Sequence, residues 1–297
     1  MVTAAELGLL YAIMAVGVYL TYRVLDFPDL TVDGSYTTGA AISAVLIVNG
    51  VPIWVAILAS VIGGMGAGVI TGLLHVWGNI NPLLAGILTQ IALYSVNLRI
   101  MAKANVPLLR QTTVMTPLRE AGLLGTWGSV AIFAAVVAVV GAAVYGFLGT
   151  SFGVAIRATG DNELMARSLG INTGVTKVAG LAISNGLVAL CGSIMAQYQG
   201  YADISMGIGI IVAGLASVII GQAIFGMTAV WQAVLAAMLG SVIYRMVVQA
   251  ALSAGLAPND MKLISAVLVV IALVLPQWSV LKKMRLRRRR VMEAEAA

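Results

Sequence analysis

The side chains able to do chemistry in this 297-residue chain are few, and their spacing excludes most catalysis. A single histidine, His75, rules out a multi-histidine site, and a single cysteine, Cys191, rules out a disulfide framework or a thiol cluster for metal. No G-x-x-x-x-G-K-[ST] run is present, so the chain cannot bind or hydrolyse ATP by itself. Nor does any nucleophile stand with histidine and carboxylate support, or any group of ligands with metal-binding spacing. The remaining polar groups suit docking, binding and charge compensation. They are densest in RATGDNELMARSLGI, residues 157–171. There Asp161 or Asn162 is a good helix N-cap, Glu163 adds charge to the first turn, Glu163 and Arg167 stand four apart, and Gly170 suits a C-terminal stop. Two turns reach only ~12 Å, against a hydrocarbon core of ~30 Å, so this helix should lie flat at a water interface. Leu164, Met165 and Leu169 share one side of it. They form either an apolar knob for a partner or one side of an ordinary loop helix that docks on nothing.

Other polar residues sit where they are costly. In VLDFPDLTVDG, Pro28 lacks a donor, Gly34 permits a bend, and Asp26, Asp29 and Asp33 are expensive in hydrocarbon. An irregular segment facing the interior of a bundle is expected, with Asp29 capping the next helix and Asp33 facing a cavity; a polar turn in the interface is the alternative. Gln90, Tyr94 and Asn97 recur along one helical face, as interhelical hydrogen-bonding groups or as the lining of a pathway in which Tyr94 stacks on an aromatic ligand. Arg245 lies deep in an apolar segment. Snorkelling, pairing with an internal aspartate, or contact with a substrate carboxylate would each account for it.

The elements that must carry these residues are membrane spans. With 61% hydrophobic and only 9% charged residues, the chain cannot clothe a soluble domain. Apolar windows of spanning length fall at 3–22, 31–49, 53–74, 83–101, 127–149, 174–199, 205–225, 228–251 and 262–281, predicting an all-α polytopic protein of about nine transmembrane helices. Residues 1–281 form the transmembrane domain and 282–297 a basic tail, with seven of the seventeen basic residues between Lys282 and Arg290. Such a run after an apolar span anchors to anionic lipid on the cytoplasmic side, and nucleic acid is not expected as a partner. The N-terminus has no basic n-region and reads as a retained span. Fixing the tail inside puts the N-terminus outside and 150–173 inside, with basic residues divided eleven inside to five outside. Gly64, Gly68 and Gly72 on the third span predict close helix packing. A faint internal echo relates Asp29-Leu30-Thr31 to Asp203-Ile204-Ser205, and Ile91-Ala92-Leu93 to Ile271-Ala272-Leu273. Copies running in opposite directions would make an inverted repeat, with gate regions at Asp29 and Asp203.

The run RATGDNELMARSLGINTGVTK resembles the cytoplasmic coupling loop of ABC-importer permeases of the branched-chain amino acid and ribose group. LDFPDLTVDGSYTTGAA at 25–41 and NINPLLAGILTQIALYSVNLRIM at 79–101 resemble a subgroup assigned to tryptophan or other aromatic amino acids. The resemblance implies an inverted-repeat, type II importer fold in the cell membrane. It makes Arg157, Asp161, Asn162, Glu163, Leu164, Met165, Arg167, Leu169 and Gly170 the coupling segment seated in a groove of an ABC ATPase. The partners it implies are that ATPase, which carries ATP and magnesium, a substrate-binding protein outside, and a second identical permease. No cofactor is expected on this chain. Asp33, Tyr94, Asn97, Asp203 and Arg245 are the candidate pathway residues. A secondary carrier using Asp33 or Asp203 as its coupling carboxylate is the main rival, and a passive channel the lesser one.

Overall fold

The computed structural model describes residues 2–253 together with 263, 266, 267, 269 and 270. The ninth expected span, apart from those five positions, and the basic tail at 282–297 lie outside the described residues, as does the second copy of the Ile-Ala-Leu echo. Helix α1 (Val2–Tyr19) runs on through a π-helical turn at Leu20–Val24, followed by α2 (Thr31–Val48), α3 (Ile53–Val76) and α4 (Pro82–Met101). After strand β1 (Asn105–Pro107) come α5 (Thr116–Glu120), α6 (Trp127–Gly149), α7 (Ser151–Asp161), α8 (Glu163–Ser168) and α9 (Thr173–Gln199). Strand β2 (Tyr201–Asp203), α10 (Ile210–Phe225) and α11 (Val230–Ser253) complete the described elements.

Six of these helices are long and apolar enough to cross a membrane: α1 with its π turn, α3, α4, α6, α9 and α11. Local sequence sets their ends. Asn81 accepts from the Leu83 amide ahead of Pro82 at the start of α4, Asn172 accepts from the Val175 amide at the start of α9, and Gly200 closes α9 with φ +80°. The glycine stripe of α3 packs on α9, where a Cβ on Gly68 would lie 2.3 Å from the Leu181 carbonyl oxygen.

Two findings depart from the expected all-helical layout. β1 and β2 form an antiparallel ribbon pairing Asn105 with Asp203, which joins the C-terminal ends of α4 and α9 on one face. The pairing spans almost a hundred residues and has no local signature. The other is α10, which begins at Ile210 rather than near 205 because residues 205–209 are taken up by turns, with Gly209 at φ +82°. Its sixteen residues reach ~24 Å, less than the ~30 Å of a hydrocarbon core. The Asp33 carboxylate accepts from the Gly209 and Ile211 amides, each at 2.8 Å, and caps this partly buried helix start. Gly34, beside it, lies against Gln90 and Leu93, halfway along α4. So α2 rises toward the ribbon face and α10 descends to the opposite one, their first turns meeting at mid-depth.

Candidate functional site: a braced surface helix and a mid-depth cavity

The face opposite the ribbon carries the polar stretch at 157–171. It divides into two helices. Arg157 and Asp161 belong to α7 and line a cleft of about 380 Å³ with Tyr19 and Arg23, so they face the body of the protein. Asn162, not Asp161, caps the projecting helix α8, accepting from the Met165 amide at 3.0 Å. Gly170, at φ +84°, ends the turn that follows, where few side chains are tolerated.

Glu163 braces α8 to the bundle. Its carboxylate accepts from Lys177 at 2.7 Å, from Arg167 at 2.9 Å and from the Thr173 hydroxyl at 3.1 Å, and Lys177 lies 3.4 Å from His75 Nε2 at the end of α3. The Lys177 hydrogen bond, seconded by its charge, by Thr173 and by Arg167, holds the Glu163 carboxyl below its ordinary range against the opposing effect of partial burial. Arg167 Nε also donates to Thr173 at 2.8 Å. With this polar side turned inward, Leu164, Met165 and Leu169 are left 81%, 61% and 69% exposed. Three large apolar side chains thus stand on a short helix braced to the bundle.

The second feature is a cavity of about 510 Å³ at the junction of α2, α4 and the segment leading into α10. Asp33, Gly34 and Thr37 line it from α2; Gln90, Ile91, Tyr94, Ser95 and Asn97 from α4; Ile204 and Ile208 from the third side. Of the candidate pathway residues, the structure brings Asp33, Tyr94 and Asn97 together here. Asn97 is buried, donates through Nδ2 to the Gly34 carbonyl at 3.3 Å, and leaves its Oδ1 without a partner among the described residues.

Asp203 and Arg245 lie elsewhere. Asp203 sits on the ribbon, accepting from Asn105 and Ser205; these donors outweigh partial burial and hold its carboxyl below the usual range. Arg245 places its guanidinium carbon 3.7 Å from the centroid of the Tyr11 ring, which in turn stacks parallel to Tyr36. The ring face offsets part of the cost of this half-buried guanidinium, and no aspartate pairs with it among the described residues. Asp29, expected to cap α2, stands one residue before the N-cap position, which Leu30 holds; it accepts from the Thr31 amide at 2.9 Å and also takes Asn185 at 2.7 Å.

Sequence reading passed over Glu6 and Asn185 as structural centres. Glu6 is fully buried and accepts from Gly125, Ser129 and Tyr198, tying α1 to α6 and α9. Asn185 joins α9 to α2 through Asp29 and Ser35. Their signal was available, since an acid or amide inside an apolar span must find a partner in the bundle.

A multi-span body with a buried polar junction, a mid-depth cavity and a braced apolar projection has the parts of a transport component, and the sequence relations decide which. Residues 1–274 match the family described as the permease component of the branched-chain amino acid transport system. The chain belongs to that permease family. It is therefore a multi-pass membrane transport component and not an enzyme. It is 43% identical over 263 residues to the tyrosine transport system permease protein of Clostridioides difficile, covering 89% of this chain and 86% of that one. An uncharacterized Rickettsia prowazekii protein is 34% identical over 92% of this chain and 96% of its own length. The autoinducer 2 import system permease LsrC of Salmonella paratyphi B is 27% identical over 74% of this permease and 61% of its own length. No solved structure matches this permease.

Proposed function

We propose that this permease is the membrane subunit of an ATP-driven importer for an aromatic amino acid. Two identical copies form the pathway, each docking one ABC ATPase through α8. The single observation that carries this reading is the exposed Leu164, Met165 and Leu169 surface, held rigid by the Glu163 bridges. A transporter that needed no partner would gain nothing from presenting it. The face bearing α8 is cytoplasmic in this reading and the ribbon face is external, where a substrate-binding protein delivers cargo. The N-terminus is then outside and the tail inside. ATP and magnesium act on the ATPase, and this chain needs no cofactor of its own.

The tyrosine permease relationship and the Tyr94 side of the cavity favour an aromatic cargo. The inverted-repeat reading gains local support: Asp29 and Asp203 each accept from the amide two residues on, at 2.9 and 2.8 Å, ahead of helices that run in opposite directions. A gradient-driven carrier is less well supported, because Asp33 is engaged with the start of α10 and Asp203 stands on the ribbon. Proteoliposomes holding the permease, its ATPase and its binding protein should take up tyrosine only with ATP on the ATPase side. Uptake driven by a proton or sodium gradient without the ATPase would overturn the proposal.

A further inference from the structure

The polarity of the cavity says which end of an amino acid it takes. Asn97 is 1% exposed, and its Nδ2 lies 3.3 Å from the Gly34 carbonyl oxygen. That oxygen can only accept, so nitrogen must face it, and the Asn97 atom left unpaired among the described residues is Oδ1, a buried acceptor on a residue that lines the cavity. A buried acceptor without a donor is an energetic deficit that a ligand N–H removes on binding. The Asp33 carboxylate adds negative charge on the adjoining wall, and among the described residues no lysine, arginine or histidine lines the cavity. Ile91, Tyr94 and Ile208 give the other side an apolar and aromatic surface. A volume of about 510 Å³ lies within the range of small-ligand sites.

Resting on the pathway reading above, we propose that this cavity binds its amino acid cargo by the ammonium end. Asn97 Oδ1 accepts one ammonium proton beside the Asp33 carboxylate, and the side chain packs toward Tyr94. A carboxylate in the same place would set acceptor against acceptor beside a like charge. The cavity therefore discriminates against acids that lack the amine, whereas loss of the carboxylate is tolerated.

The test is equilibrium binding to the assembled transporter in nanodiscs without binding protein, by displacement of radiolabelled tyrosine. Tyramine, which lacks the carboxylate, is expected to compete within about tenfold of tyrosine, and 3-(4-hydroxyphenyl)propionate, which lacks the amine, at least about a hundredfold more weakly. N97L should weaken both tyrosine and tyramine about tenfold, while N97D, which adds a charge at the same position, should favour tyramine. Equal competition by the acid and the amine would overturn the ammonium assignment while leaving the pathway reading intact. If labelled tyrosine does not bind and Tyr94→Ala leaves uptake from loaded binding protein unchanged, the pathway reading fails and the ammonium assignment with it. The ligand comparison on the native protein decides the matter even where a variant fails to fold.

Discussion

Replacing Leu164 with aspartate should separate the permease from its ATPase without disturbing the permease. Full burial of a large aliphatic side chain yields about 1.5–3 kcal/mol. Leu164 is 81% exposed, so nearly all of that contribution is still open to a partner. Truncation to alanine should cost about 1–2 kcal/mol, or roughly five- to thirtyfold in Kd. Leu164→Asp also buries an unpaired charge, and the loss should exceed about a hundredfold. The fold should be indifferent, because the Leu164 side chain makes none of the cap or bridge contacts of its neighbours Asn162 and Glu163, and an acidic residue is favourable in a first helical turn. The assay is titration of nanodisc-held permease with purified ATPase, alongside a melting curve. Leu109→Asp is the control, since Leu109 is 78% exposed and belongs to the opposite, ribbon-bearing side. A Kd for Leu164→Asp within twofold of the native value, or an equal loss for Leu109→Asp, would refute docking through α8.

Other substitutions and conditions probe the supports of the two sites. Asp33→Asn removes the charge that caps α10; at about 2 kcal/mol, amide exchange around residues 209–215 should speed roughly thirtyfold, and unchanged exchange would show that the cap is idle. Gly68→Ala drives a Cβ to 2.3 Å from the Leu181 carbonyl oxygen, and the strain of parting α3 from α9, about 1–3 kcal/mol, should appear as a lower melting temperature in detergent; an unchanged melt would contradict the packing. The Glu163 carboxyl is held below its ordinary range, so its contribution is fully present above the unfolded-state value and is lost as pH falls through the folded one. Proteolysis within residues 162–172 should therefore stay slow from neutral pH down through the usual carboxylate range and quicken below it, whereas quickening already at weakly acidic pH would contradict the Glu163 brace.

Much of this architecture was legible because the signals were local. Eight of the nine apolar windows fall on helices, and the Glu163–Arg167 pair and the Gly170 stop stand where spacing put them. The division of 157–171 was missed because Asp161 and Asn162 are nearly equal as caps, and only the packing of α7 against the π turn selects Asn162. The role of Asp33 joins residues 176 positions apart, beyond any periodicity. Asp203 carries the same local turn as Asp29 but stands on a ribbon that sequence alone did not reveal, so its likeness to Asp29 did not extend to its surroundings. Arg245 was costly in hydrocarbon on any reading, and its partner among the described residues is a ring rather than a carboxylate.

The central claim is that nucleotide-driven movement of an ATPase reaches the mid-depth cavity through α8. Ile91 and Ile208, 64% and 53% exposed on two walls of that cavity, can carry spin labels on cysteines introduced there, while native Cys191 is buried. With ATPase bound, the distance distribution between the labels should shift when ATP is added, and Leu164→Asp with Met165→Asp should abolish the shift. A distribution indifferent to ATP, or one that still shifts in the double variant, would contradict it.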